Sequence, residues 1–179
     1  WDNSNQKWIN DYACVSEYNE NGLIEEKGYY KWNTEKESWD NDYYDIISYR
    51  DDGEILLWIE YKWSVESSEW ITYGKWEYTY ENNNLKKLTG YYTKDDGSFY
   101  IYDEEVFTYD TGNSFAESTY RVWSDETKQL EKDSKYVCTW NKDVVYEEII
   151  LPYYYLKHRN RYMILEETEY TWDAAKQDW

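Results

Sequence analysis

Carboxylates are the most abundant chemically competent side chains in this chain, with 38 Asp and Glu against 19 Lys and Arg. Several stand side by side: Glu25-Glu26, Asp51-Asp52, Asp95-Asp96, Glu104-Glu105 and Glu147-Glu148. A glycoside hydrolase needs two carboxyl groups roughly 5–10 Å apart across one cleft, whereas adjacent residues of a strand project to opposite faces. These pairs therefore read as solvated charge that keeps an aromatic sheet soluble and blunts its edges. His158 is the only histidine, which excludes a two-His metal site and leaves any Ser-His-Asp arrangement resting on one residue in a basic stretch. No set of nucleophile, base and orienting group emerges, so the expectation is a non-catalytic chain.

The turns Asp51-Asp-Gly53 and Asp95-Asp-Gly-Ser98 offer oxygens of the kind calcium takes, yet the alternating Asp spacing of a dedicated loop is missing. Ordinary turn chemistry accounts for them; no cofactor and no metal site is expected, with calcium at these carboxylates a remote alternative. Cys14 and Cys138 are too few for a disulfide framework and lack ligand spacing, so both are expected to be free thiols. Lys157, His158, Arg159 and Arg161 form the one basic cluster of an acidic chain, a speculative docking patch for an acidic surface such as that of a neighbouring unit. The aromatics are the serious candidates, at 22% of residues with 24 Tyr and 12 Trp. Flat rings stack on sugars, and those outside the main pattern, Trp58, Tyr73, Tyr100, Tyr102 and Tyr120, are the expected exposed binders.

What must position these side chains is a repeat. Trp32 and Trp39 lie seven residues apart with a polar run between them, and the pair recurs as Trp1/Trp8, Trp63/Trp70 and Trp172/Trp179, and in softened form as Tyr92/Phe99 and Trp123/Leu130. First members are spaced 31, 31, 29, 31 and then 49 residues apart, a period that marks a tandem array. Residues 1–179 thus read as one repeat array, with units at about 8–38, 39–69, 70–98, 99–129 and 130–179, the last enlarged by an insertion near 149–161. Both ends fall on this ruler, as in an excerpt of a longer chain.

Each unit reads as two strands and two turns. Asn19-Glu-Asn-Gly22, Arg50-Asp-Asp-Gly53, Glu81-Asn-Asn-Asn84 and Asp110-Thr-Gly-Asn113 are hairpin signals between strand-like runs. In β-type alternation, Trp70, Thr72, Gly74, Trp76, Tyr78 and Tyr80 share a mainly aromatic face. The fold class is all-β: an antiparallel meander of eleven or twelve strands in hairpin repeats, as an extended twisted sheet, a spiral solenoid or a partly closed form. The recurring Trp32, Trp39, Trp63 and Trp70 are expected in the core or in cross-strand pairs.

Bulk properties limit the partners. A net charge of -19 opposes binding to nucleic-acid phosphates or anionic lipid, and no apolar run of the length that spans a membrane is present. A protein partner, a glycan or neighbouring repeats of the same polypeptide remain.

The pieces Tyr78-Thr-Tyr-Glu-Asn-Asn-Asn-Leu85, Phe107-Thr-Tyr-Asp-Thr-Gly-Asn113 and Tyr18-Asn-Glu-Asn-Gly-Leu23 resemble the Tyr-Asp repeats of large secreted and surface proteins. The whole unit, with its Trp pair and the Ile150-Leu-Pro152 insertion, is similar to longer aromatic repeats in secreted Bacteroidota proteins, many exported by type IX secretion. The resemblance implies an extracellular or cell-surface location and a role as scaffold, adhesive or protein-interaction segment. A carbohydrate-binding module using exposed Trp and Tyr is the alternative, and a glycan-active enzyme comes third.

Overall fold

A computed structural model describes the chain over residues 9–145 and 162–179. Ten strands are present: β1 Tyr12–Tyr18, β2 Ile24–Asn33, β3 Ser38–Tyr49, β4 Ile55–Ser64, β5 Glu69–Glu81, β6 Asn84–Thr93, β7 Phe99–Tyr109, β8 Phe115–Ser124, β9 Gln129–Val145 and β10 Tyr162–Thr171. They form one antiparallel sheet in chain order, β1 through β10. β1 and β10 each have a single neighbour, so no ladder between them closes the meander. The strands are rich in aromatic and β-branched residues, and the one proline, Pro152, lies outside the described residues. The eleven or twelve strands expected from the period become ten among the described residues; the enlarged part of the last unit lies outside them.

The chain divides into two compact units. One comprises residues up to Glu77 together with Tyr91–Tyr100, and the other Tyr78–Gly90 together with Ile101–Trp179.

In the first unit the Trp pairs are ladder partners, Trp32 opposite Trp39 and Trp63 opposite Trp70. Each pair has ring centroids 5.1 Å apart at 71°, an edge-to-face contact worth about 0.5–1.5 kcal/mol beyond area burial. Three residues after the second Trp the ladder skips a residue, Asp42 in β3 and Tyr73 in β5, as a β-bulge does. At the opposite strand ends, Gly22 N–H donates to Asn19 O at 3.0 Å and Gly53 N–H to Arg50 O at 2.9 Å, with φ of 76° and 85° at the two glycines.

The second unit uses the same devices. Trp123 opposes Leu130, Asp133 is skipped, and Trp172 and Trp179 meet at 5.1 Å and 68°. Asn113, with φ 63°, takes the turn place that Gly holds elsewhere. Asn82 and Asn83, with φ 51° and 64°, make the two-residue connection in which both central residues are left-handed.

The polar runs between paired Trp have their own geometry. Glu37, Ser68, Lys128 and Gln177 all have φ between 50° and 57°. The residue after the first Trp caps the turn: Asn33 Oδ1 accepts from Glu35 and Lys36 N–H at 3.1 Å each, and Asp173 Oδ1 from Ala175 and Lys176 at 3.1 Å each. Tyr92/Phe99 has the ruler's spacing but not this turn. There Lys94 N–H reaches Ser98 O at 2.8 Å and Gly97 has φ 79°, because Asp96-Gly97 supplies the side-chain acceptor and the left-handed residue that a tighter turn needs.

Burial decides between the two places expected for the recurring Trp. Among the described residues the buried hydrophobic side chains are Ile47 and Cys138, while Asp45, Thr89, Ser114, Ser118 and Ser134 are buried polar residues. Trp32, Trp63 and Trp70 are half-buried, and Trp39 is 40% exposed. They are cross-strand pairs and not a core, because strands of one sheet cover each other's side chains only from the flanks.

Candidate functional site

Two rows of side chains on one face of the first unit stand out. Because ladder partners share a face, the register shows which residues meet. Tyr12 on β1 lies 6.0 Å from Tyr29 on β2, Tyr29 is the ladder partner of Tyr43 on β3, Tyr43 lies 6.0 Å from Tyr73 on β5, and Tyr73 lies 5.4 Å from Tyr92 on β6. Tyr73 is the bulged residue of β5, and the bulge re-aims its ring so that it meets Tyr43 two strands away. The contacts of Tyr73 with Tyr43 and Tyr92 are edge-to-face, at 82° and 81°. Lysines cover other ring faces: Lys27 Nζ is 4.8 Å from the Tyr29 centroid and Lys62 Nζ 5.8 Å from that of Tyr43.

Beside this row runs a second one, across the ladder from Lys27 on β2 through Asp45 on β3 and Glu60 on β4 to Gly74 on β5. Asp45 is 1% exposed, and its Oδ1 has no hydrogen-bond partner; nor has the buried Nε1 of Trp58 nearby. Burial pushes the Asp45 carboxyl above its ordinary range, against the hydrogen-bonding pull of Trp58 and Tyr29 and the charge of Lys27. Burial, and then the charge of Asp45, raises Glu60 as well.

Elsewhere, tyrosine hydroxyls are spent on carboxylates across the ladders. Tyr44 donates to Glu26, Tyr91 to Glu77 at 2.9 Å, Tyr120 to Asp103 at 2.7 Å and Tyr136 to Glu169 at 2.7 Å. Burial first, and then these carboxylates, push the Tyr44 and Tyr120 phenols well above their usual range. A second set ties successive hairpins together: Tyr49 Oη donates to Ile24 O at 2.5 Å, Tyr109 Oη to Leu85 O at 2.9 Å, and Trp140 Nε1 to Phe115 O.

The five rings singled out in the sequence fare differently. Tyr73, 40% exposed, is central to the tyrosine row, and Tyr102 is exposed in the second unit. Trp58 is half-buried and packs on Trp76 at 5.7 Å, its ladder partner. Tyr100 is half-buried, 6.0 Å from Lys94 Nζ. Tyr120 is half-buried and held by Asp103. A side chain of a neighbouring strand reaches the ring of Trp58 and the hydroxyl of Tyr120, and one of the preceding turn reaches the ring of Tyr100. Lys157, His158, Arg159 and Arg161 lie outside the described residues. Tyr12, Tyr29, Tyr43, Asp45 and Glu60 did not stand out in the sequence, and Tyr92 did so only as a member of the repeating pair; the signal was the register around the Asp51-Asp52 turn, which sets Asp45 opposite Glu60.

The chemistry within reach is limited. Asp45 presents almost no surface to a substrate. No group of three His, Cys, Asp or Glu suited to a metal ion occurs among the described residues. At the turns, Asp52 Oδ1 accepts from Glu54 N–H at 3.3 Å and Asp96 Oδ1 from Ser98 N–H at 2.9 Å. Cys14 and Cys138 are free thiols, on β1 and β9. No helix is long and apolar enough to cross a membrane among the described residues.

No protein-family model and no curated protein matches the chain. Among solved structures, a protein of unknown function from Bacteroides fragilis matches with a TM-score of 0.59 at 13% identity, over 70% of this chain and 91% of that one. Two DUF3836 family proteins match with TM-scores of 0.37: one from Bacteroides vulgatus, at 14% identity over 68% of this chain and 90% of its own, and one from Parabacteroides distasonis, at 13% over 69% and 88%. At such identity the first likeness speaks for the fold alone.

Proposed function

We propose that this chain is a non-catalytic scaffold or protein-interaction segment of a secreted or surface-exposed protein. The observation that supports this reading is how the aromatic side chains are used. They meet one another edge-to-face, across ladders as in Trp32–Trp39 and Trp63–Trp70 or over a strand as in Tyr43–Tyr73, or lie under lysine ammonium groups. Rings engaged in this way hold a sheet together; they do not form a coplanar platform. The surface location rests on the resemblance of the repeats to those of exported Bacteroidota proteins, with type IX secretion as the route. Proteolysis of intact producing cells tests it: peptides of this chain should be released without lysis, and complete protection until lysis would refute a surface location.

A glycan-binding role is the second reading, favoured by the exposed rings of Tyr12 and Tyr73 in one row. Affinity electrophoresis through gels containing soluble polysaccharides separates the two. The scaffold reading expects unchanged mobility, whereas retardation by one polysaccharide that is abolished in Tyr73→Ala would establish the second.

A further inference from the structure

We propose that Asp45, buried beside Glu60, keeps its proton in the folded chain and that loss of this proton loosens the β3–β4 ladder, a pH-sensitive lock in the first unit. Three observations combine. Asp45 is 1% exposed, and its Oδ1 has no hydrogen-bond partner. Glu60 is its direct ladder partner, half-buried on the same face, and such partners stand about 4.5–5.5 Å apart at Cβ. No lysine or arginine among the described residues forms an ion pair with either carboxyl.

The surroundings offset the burial of Asp45 only in part, through Trp58 and Tyr29 at its carboxyl and the charge of Lys27. From β2 the face presents Lys27 and Tyr29, and Lys27 Nζ is turned over the Tyr29 ring. From β4 it presents Trp58, Glu60 and Lys62, the last turned over the Tyr43 ring. On the far side of Glu60 the ladder partner is Gly74, which has no side chain. A buried carboxylate without an ion pair is costly, and a second carboxyl opposite it adds repulsion, so Asp45 stays protonated.

The sign of the pH effect follows. Both carboxyls are raised in the folded chain, by burial above all. Their stabilising contribution is therefore complete below the ordinary carboxylate range and lost as pH rises through the raised folded values. The fold should be tighter in mildly acidic than in alkaline surroundings, independently of the general repulsion of a -19 chain.

The test compares thermal midpoints of the whole chain between about pH 5 and pH 8, bracketing the raised carboxyls, for wild type, Asp45→Asn, Glu60→Gln and Glu66→Gln. The last removes one charge at an exposed turn position and controls for net charge. Asp45→Asn should exceed wild type by several degrees at the alkaline end, with the gap closing towards the acid end, while Glu66→Gln runs parallel to wild type. Should Asp45→Asn fail to fold, Glu60→Gln and the infrared carbonyl stretch of protonated carboxyls in the wild type serve instead. That band should persist above the ordinary carboxylate range in the wild type and in Glu60→Gln, where Asp45 remains buried. Parallel profiles for all variants, or no protonated carboxyl above that range, would overturn the proposal.

Discussion

Tyrosine hydroxyls are put to directed use in this chain. A phenol at the end of an odd-numbered strand can reach back to a carbonyl of the preceding hairpin, as Tyr49 does to Ile24 and Tyr109 to Leu85. Tyr18 occupies the same place on β1 but is 62% exposed. Tyr49→Phe should therefore lose about 1 kcal/mol in denaturant unfolding, whereas Tyr18→Phe should change little; equal losses would show that the carbonyl contacts contribute nothing. The phenols of Tyr44 and Tyr120 are raised by burial and by Glu26 and Asp103. Because the folded pKa lies above the unfolded one, their contribution is present below the ordinary phenol range and lost as pH climbs through the folded values. In an alkaline absorbance titration these two should ionise late and together with loss of the fold. Ionisation of every tyrosine in one ordinary step would contradict this.

The strands and turns obey close constraints. Gly53, at φ 85°, sits where an L side chain is strained, so Gly53→Ala should cost about 1–2 kcal/mol. At Gly74 the limit is space. A Cβ there would lie 2.9 Å from the Tyr91 carbonyl oxygen, and because that contact is backbone, Gly74→Ala should cost about 1–3 kcal/mol by forcing β5 from β6. A neutral result in denaturant unfolding would mean that the two strands part more easily than their approach suggests. Most of this level was legible in the sequence. Asn-Gly and Asp-Gly set the hairpins, and the Trp spacing set the intervening turns, because two rings seven residues apart become ladder partners when the six residues between them close a turn. The bulges at Asp42, Tyr73 and Asp133 were not legible. No residue type marks them, and skipping one residue reverses which side chains share a face beyond it. For that reason Tyr73 could be picked as exposed, yet its contacts with Tyr43 and Tyr92 could not, nor could the packing of Trp58 on Trp76, which is set by register. Asp45 and Glu60 were hidden for the same reason, since the adjacent carboxyls visible in the sequence point to opposite faces while the pair that meets is distant along the chain.

Across the whole chain, 38 acidic residues oppose 19 basic ones, and the surface ion pairs are mostly exposed, such as Lys36–Asp40 and Lys128–Asp125, each contributing little. Self-repulsion should dominate, so raising salt above about 0.1 M, where the screening length is about 10 Å, should raise the thermal midpoint; a fall would mean that attractive pairs outweigh it. The central claim, that the aromatic side chains hold the sheet together and do not recognise a sugar, is tested most directly by tryptophan fluorescence. Emission and acrylamide quenching would be followed while soluble polysaccharides are added. The account predicts partial quenching, consistent with half-buried Trp32, Trp63 and Trp70, and no change with any polysaccharide. Saturable protection of the emission by one glycan would contradict it.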